Sequence, residues 1–182
     1  MDTVRNDREG ERVPVLIAVG ANLTCADPVS GEAVLPVATC EAAVAALRAL
    51  PGLIVEAVSP WYESEAIPPS GQPPYINGVV LGKSELGPEA LLAALHEIEN
   101  RFGRVRSVRN AARTLDLDLI DMDGLVRREG GVLLPHPRAH ERAFVLLPLR
   151  DVKADWVHPV SGQSVGSLIA VMEPQSIRRS EE

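Results

Sequence analysis

The order of elements legible in the chain is strand, helix, strand, strand, helix, strand, which predicts an α+β ferredoxin-like sandwich, a mainly antiparallel sheet with helices packed on one face. Three observations carry that expectation. Val13 to Gly20 is an unbroken apolar run of strand length. Two later stretches repeat apolar residues at helical spacing and stop at glycine. Thr114 to Ile120 is a strand-length stretch in which Thr114, Asp116 and Asp118 alternate with Leu115, Leu117 and Leu119.

Val13 to Gly20 reads as a buried strand, and Gly20-Ala21-Asn22-Leu23 permits a sharp exit into a loop over Thr24 to Pro36. Val37, Cys40, Val44 and Leu47 recur at helical spacing until Pro51-Gly52 ends the helix. Leu53 to Tyr62 is expected as the second strand, and Pro68, Pro69, Gly71, Pro73 and Pro74 rule out regular structure after it. Tyr75 to Lys83 is a third strand. Pro88 opens a second helix with Leu91, Leu92, Leu95, Ile98 and Phe102 inward, and Gly103 sits where a C-terminal glycine belongs. Thr114 to Ile120 is the fourth strand, with a short hairpin expected around Asp123-Gly124.

The 182 residues, 46% hydrophobic, suit one domain, placed at 13–172 between polar, flexible tails at 1–12 and 173–182. No apolar run approaches the roughly 20 residues that span a bilayer, and the charged start Asp2 to Arg12 does not resemble a signal peptide, so a cytoplasmic protein is expected. Cys25 and Cys40 lack metal-ligand spacing and are expected as reduced thiols without chemistry.

A net charge of -7 argues against nucleic acid as a partner, yet Arg101, Arg104, Arg106, Arg109 and Arg113 crowd into one segment. That pairing of an acidic chain with one arginine cluster points to a compact anionic ligand. The guanidinium fork fits phosphate oxygens, and the only lysines are Lys83 and Lys153. No Gly-x-x-x-x-Gly-Lys-Ser/Thr loop and no Gly-x-Gly-x-x-Gly is present, so side chains would have to hold the phosphates. Arg104, Arg106 and Arg113 precede Asp116-Leu117-Asp118, and His136, Arg138 and Arg142 follow it.

Period-two geometry sends Asp116 and Asp118 from the same strand face with alpha carbons roughly 6.6 Å apart. Such a pair suits hard Mg²⁺ ions, which take carboxylate oxygens and keep water and substrate phosphates as further ligands. Asp-x-Asp alone is a weak sign, and it completes no EF-hand loop. Tyr75 and Asn77 share a strand face, placing an aromatic plane beside an amide, equipment for a flat hydrogen-bonding heterocycle.

In this order the motifs resemble those of the 6-hydroxymethyl-7,8-dihydropterin pyrophosphokinases over Val15 to Pro159. The matching stretches are Gly20 to Leu23, Gln72 to Asn77, Ile98-Glu99 with Gly103 to Arg106, Arg113 to Asp118, Pro135 to Arg138 and Glu141 to Leu149. The resemblance implies an enzyme moving the β,γ-pyrophosphoryl group of ATP to the pterin hydroxymethyl group, leaving AMP, in folate synthesis; a monomer is expected. It implies two Mg²⁺ ions on Asp116 and Asp118, and Tyr75 and Phe144 sandwiching a pterin read by Asn77, with Ser64 to Ile67 lining the pocket. Arg104 and Arg113 would neutralise phosphate charge, His136 and Arg142 would hold the triphosphate, and Leu119 would lie near the adenosine. Glu99 matches a family position without an assigned role. The chain departs from the common family pattern at Ser64-Glu65-Ala66, at Ser107 and at Arg109 to Arg113.

Two other readings remain open on the residues themselves. One is a two-metal nucleotidyltransferase or phosphodiesterase built on Asp116 and Asp118; the other is a non-catalytic ligand-binding domain of the same fold.

Overall fold

The computed structural model describes residues 10–65, 69, 71–103 and 114–181. In chain order the elements are β1 (Val13–Ala21), β2 (Cys25–Ala26), β3 (Ala33–Val34), α1 (Pro36–Arg48), β4 (Leu53–Val58), β5 (Tyr62–Ser64), β6 (Tyr75–Ser84), α2 (Pro88–Arg101), β7 (Asp116–Met122), α3 (Ala143–Val152), α4 (Val165–Val171) and β8 (Ile177–Arg179).

β1 is apolar throughout because it lies inside the sheet, antiparallel to both β6 and β7, and is covered on both faces. The strands run β7-β1-β6-β5-β8, with β4 paired to the other half of β6. This is the ferredoxin-like order: first strand between the third and the last, second strand outside the third.

Alternation along β1 divides its side chains between two cores. Val15, Ile17 and Val19 pack with Ala43 and Leu47 of α1 and with Leu91, Leu95 and Ile98 of α2. Leu16 turns the other way and joins Leu146 and Leu149 of α3, Leu168 of α4 and Trp156. Helices therefore cover both faces, where one covered face was expected. The continuous apolar run of β1 and the apolar α3 both require the second layer.

The expected second strand, Leu53 to Tyr62, is broken into β4 and β5. Pro60 offers no N–H to a ladder, and Ser59 Oγ instead accepts the Val79 N–H at 2.9 Å, replacing a main-chain partner. The Trp61 side chain then packs against Gly78, where an added Cβ would sit 2.5 Å from the ring. The expected loop at Thr24 to Pro36 holds the small hairpin β2–β3. Asp123 and Gly124 do form a turn, with φ of 49° and 70°. No hairpin on the sheet follows it, because the next pairing is an isolated bridge between Arg127 and Leu134.

Most of the expected tail at 1–12 lies outside the described residues. The expected flexible tail at 173–182 is corrected: it carries β8, antiparallel to β5, with Tyr62 opposite Arg179 and Ser64 opposite Ile177. Its polar composition concealed specific partners. Arg179 Nη2 donates to Asp151 Oδ1 at 3.1 Å, and Arg178 Nη2 to Glu63 Oε1 at 2.9 Å.

Candidate active site

The registers of four strand pairs set one row of residues across the sheet. Asp116 lies opposite Gly20, Gly20 opposite Asn77, Asn77 opposite Tyr62, and Tyr62 opposite Arg179. Directly opposed residues share a face. The row therefore runs along the α3 side, from a carboxylate on the edge strand β7 to an amide on β6. At a strand spacing of about 4.8 Å, Asp116 and Asn77 have alpha carbons roughly 10 Å apart, with a residue lacking a side chain between them.

Gly20 has more to do than turn the chain. A Cβ built on it would lie 3.0 Å from Asn77 Oδ1. The glycine thus leaves room for the Asn77 amide oxygen between the two strands.

The two carboxylates stand on this face, half-buried, while Leu115, Leu117 and Leu119 fill the opposite core. The strand edge between them is held from below: Glu99, 1% exposed on α2, accepts the Leu117 N–H through Oε1 at 2.8 Å. A buried charged type at such a place needs a partner, and here the partner is the main chain between Asp116 and Asp118.

His136 is tied to the same strand by its N–H to Ile120 O at 2.8 Å. Its Nδ1 accepts from the Arg138 N–H at 3.2 Å, and its Nε2 lies 3.9 Å from Asp118 Oδ2. Burial first, and then the Arg142 charge, push the imidazole down to about 4, against the opposing pull of Asp116. The ring is neutral near pH 7, and with Nδ1 accepting it carries its proton on Nε2. Arg142 precedes α3, and its guanidinium carbon stands 5.4 Å from the centre of the Phe144 ring.

At the other end of the row Asn77, buried, donates through Nδ2 to Ser64 Oγ at 2.9 Å, so two residues assigned to the pterin are joined. Tyr75 lies opposite Ser64 on the same face, half-exposed. The loop before β6 is fixed by Asn22, whose Nδ2 donates to Pro73 O at 3.2 Å and Gln72 Oε1 at 3.3 Å.

The structure thus brings Asp116, Asp118, Tyr75 and Asn77 onto one sheet face, with Ser64 bonded to Asn77 and His136 beside Asp118. Leu119 differs, because its side chain is 4% exposed and packs in the core on the opposite face. Arg104, Arg113 and Ile67 lie outside the described residues. Gln175 escaped the sequence reading altogether. Its side chain bonds both neighbours of Arg142, and nothing in a polar terminal stretch signals that.

Among the described residues no three His, Cys, Asp or Glu form a metal cage. A two-carboxylate donor set suits magnesium that completes its octahedron with water and phosphate oxygens, so the residues fit the expected ion.

The fold and site define an α+β sandwich with a paired carboxylate at one end of a row across the sheet and a buried amide further along it. The model of the 7,8-dihydro-6-hydroxymethylpterin-pyrophosphokinase family, HPPK, matches residues 16–154, and the chain belongs to that family. It is 36% identical to the 2-amino-4-hydroxy-6-hydroxymethyldihydropteridine pyrophosphokinase of Pseudomonas aeruginosa, over 91% of this chain and 95% of that one. Identity to the enzyme of the same name from Synechocystis is 43%, covering 71% of this chain and 66% of the relative. The match to the folic acid synthesis protein fol1 of Pneumocystis carinii, 39% identical, covers 64% of this chain and only 16% of that longer protein. A crystal structure of a Plasmodium falciparum HPPK-DHPS mutant superimposes with a TM-score of 0.64 over 90% of this chain and 44% of that one, at 11% identity, a likeness of fold.

Proposed function

We propose that this chain transfers the β,γ-pyrophosphoryl group of ATP to 6-hydroxymethyl-7,8-dihydropterin, giving the pterin diphosphate and AMP, a step of folate synthesis. The observation that supports the reading is the row Asp116, Gly20, Asn77, which sets a carboxylate and an amide on one sheet face with a glycine between them. In the reaction the hydroxymethyl oxygen bonds to the β-phosphorus as the bond from that phosphorus to the α-phosphate bridging oxygen breaks. Such a transfer needs mainly positioning and electrostatic stabilisation.

Asn77 has one amide N–H committed to Ser64, which fixes the plane of the amide and turns Oδ1 towards Gly20. That orientation presents an acceptor to the amino edge of a pterin stacked between Tyr75 and Phe144. Neutral His136 offers its Nε2–H to a phosphate oxygen without adding charge, while Arg142 supplies charge and, by its place over Phe144, links the nucleotide and pterin ends. Arg104 and Arg113 neutralise further phosphate charge. Two magnesium ions held by Asp116 and Asp118 would supply electrostatic stabilisation of the transferring group. Among the described residues no helix is long and apolar enough to cross a membrane; a cytoplasmic monomer whose single domain includes β8 completes the reading.

The test is to incubate the chain with ATP and MgCl₂, with and without the reduced pterin. The reading requires AMP only when the pterin is present. AMP with free pyrophosphate in its absence favours a nucleotide-hydrolysing enzyme, and no turnover with retained binding favours a ligand-binding domain.

A further inference from the structure

Gln175 lies 34 residues beyond Glu141 and reaches back to it. Its Nε2 donates to Glu141 O at 2.8 Å, and its Oε1 accepts the Ala143 N–H at 3.0 Å. The two bonds bracket Arg142 on both sides. A helix leaves its first N–H groups without internal partners. Arg142, the residue capping α3, provides no side-chain cap, so the carboxamide fills that need and grips the preceding carbonyl too. A carboxamide carries donor and acceptor side by side and so does both.

The same segment also touches the other wall. Ser176 O accepts the Glu65 N–H at 3.4 Å, and Ile177 pairs with Ser64, whose hydroxyl holds Asn77. Two residues on, Arg179 bonds Asp151 of α3 and stands 5.8 Å over the Tyr62 ring, fixing the segment to helix and sheet at once.

We infer that Gln175 is a positioning residue of the active site, holding the turn that presents Arg142 to the nucleotide and Phe144 to the pterin. This rests on the function proposed above. Gln175 acts through Arg142 without touching substrate.

The experiment is calorimetric titration of the full chain with MgCl₂ and a non-hydrolysable ATP analogue, on wild type, Gln175→Ala, Arg142→Ala and the double variant, with folding followed by circular dichroism. Loosening the turn on both sides of Arg142 predicts that Gln175→Ala weakens binding about tenfold, about 1.4 kcal/mol. In the Arg142→Ala background the same change is predicted to have almost no effect. Arg178→Ala, which removes the exposed pair with Glu63, serves as a control with unchanged affinity. Should Gln175→Ala not fold, Gln175→Glu keeps the acceptor for Ala143 and loses only the donor, and is predicted to show a smaller loss that is likewise absent beside Arg142→Ala. Wild-type affinity in the folded Gln175 variant, or an equal loss with and without Arg142, overturns the inference. A wild-type chain that binds no ATP analogue overturns the functional reading itself, and this inference with it.

Discussion

Glu99 Oε1 receives the Leu117 N–H at 2.8 Å, so a buried acid on α2 fixes the Asp116–Leu117 peptide between the two site carboxylates. β7 is the edge of the sheet, and β1 takes main-chain bonds on its inner side only. Glu99 supplies what a further strand would have supplied. Glu99→Ala leaves a buried N–H unpaired and frees the strand edge carrying Asp116 and Asp118. Supporting residues behind metal ligands typically matter by about 10- to 100-fold in affinity or rate. A rise of that order in the Mg²⁺ concentration needed for half-maximal AMP formation is expected, with partial recovery in Glu99→Gln, which retains an acceptor. Unchanged magnesium dependence in a folded Glu99→Ala would show that the bond serves folding alone.

Gly20→Ala tests the close approach of the Asn77 amide to the chain at Gly20. The new Cβ would meet Asn77 Oδ1 at 3.0 Å, and Asn77 cannot swing away without giving up Ser64. Pterin affinity is expected to fall by about 1–3 kcal/mol, the range for a hydrogen bond lost in a desolvated site, while ATP affinity changes little. Titrating each ligand separately distinguishes this from an equal loss on both, which would mean a general distortion of β1.

Asp121 gives a pH dependence of stability with a definite sign. Burial raises its carboxyl above the ordinary 3.8, although the Trp156 indole N–H, donating to Oδ2 at 3.2 Å, opposes the shift. A raised folded value means that the contribution to stability is present below about pH 3.8 and is lost as pH rises through the folded value. At neutral pH the ionised group is therefore a net cost. Asp121→Asn keeps an acceptor for Trp156 and removes the charge, so it should raise the melting temperature at pH 7. In a chain of this length the gain is about 2–4 °C for each kcal/mol recovered. The difference should shrink as pH falls towards 4, and a variant less stable than wild type at pH 7 would refute the burial argument.

Much of this arrangement was legible because its signals are local. The alternation of Leu115, Leu117 and Leu119 against Asp116 and Asp118 fixes which residues share a face whatever the neighbouring strands are. Gly103, read as a helix stop, has φ of 75°. What stayed hidden depends on register and on distant partners. Gly20 reads as a turn glycine until its pairing with Asn77 and Asp116 is known. Gln175 sits in a polar terminal stretch whose partners are 32 and 34 residues away. The break between β4 and β5 is an intermediate case, since Pro60 marks it in the sequence, but the compensating bond from Val79 to Ser59 does not.

On the function proposed above, nucleotide and pterin meet across the row from Asp116 to Asn77, and the pyrophosphoryl group moves intact. The most direct measurement is ³¹P NMR of the full reaction with ATP, MgCl₂ and 6-hydroxymethyl-7,8-dihydropterin, run beside Asp116→Ala and Asn77→Ala. AMP and pterin diphosphate should appear one for one with wild type. Asp116→Ala should be almost inactive at any pterin concentration, and Asn77→Ala should recover rate as pterin is raised. Formation of ADP, release of free pyrophosphate, or wild-type rates in Asp116→Ala would contradict the account.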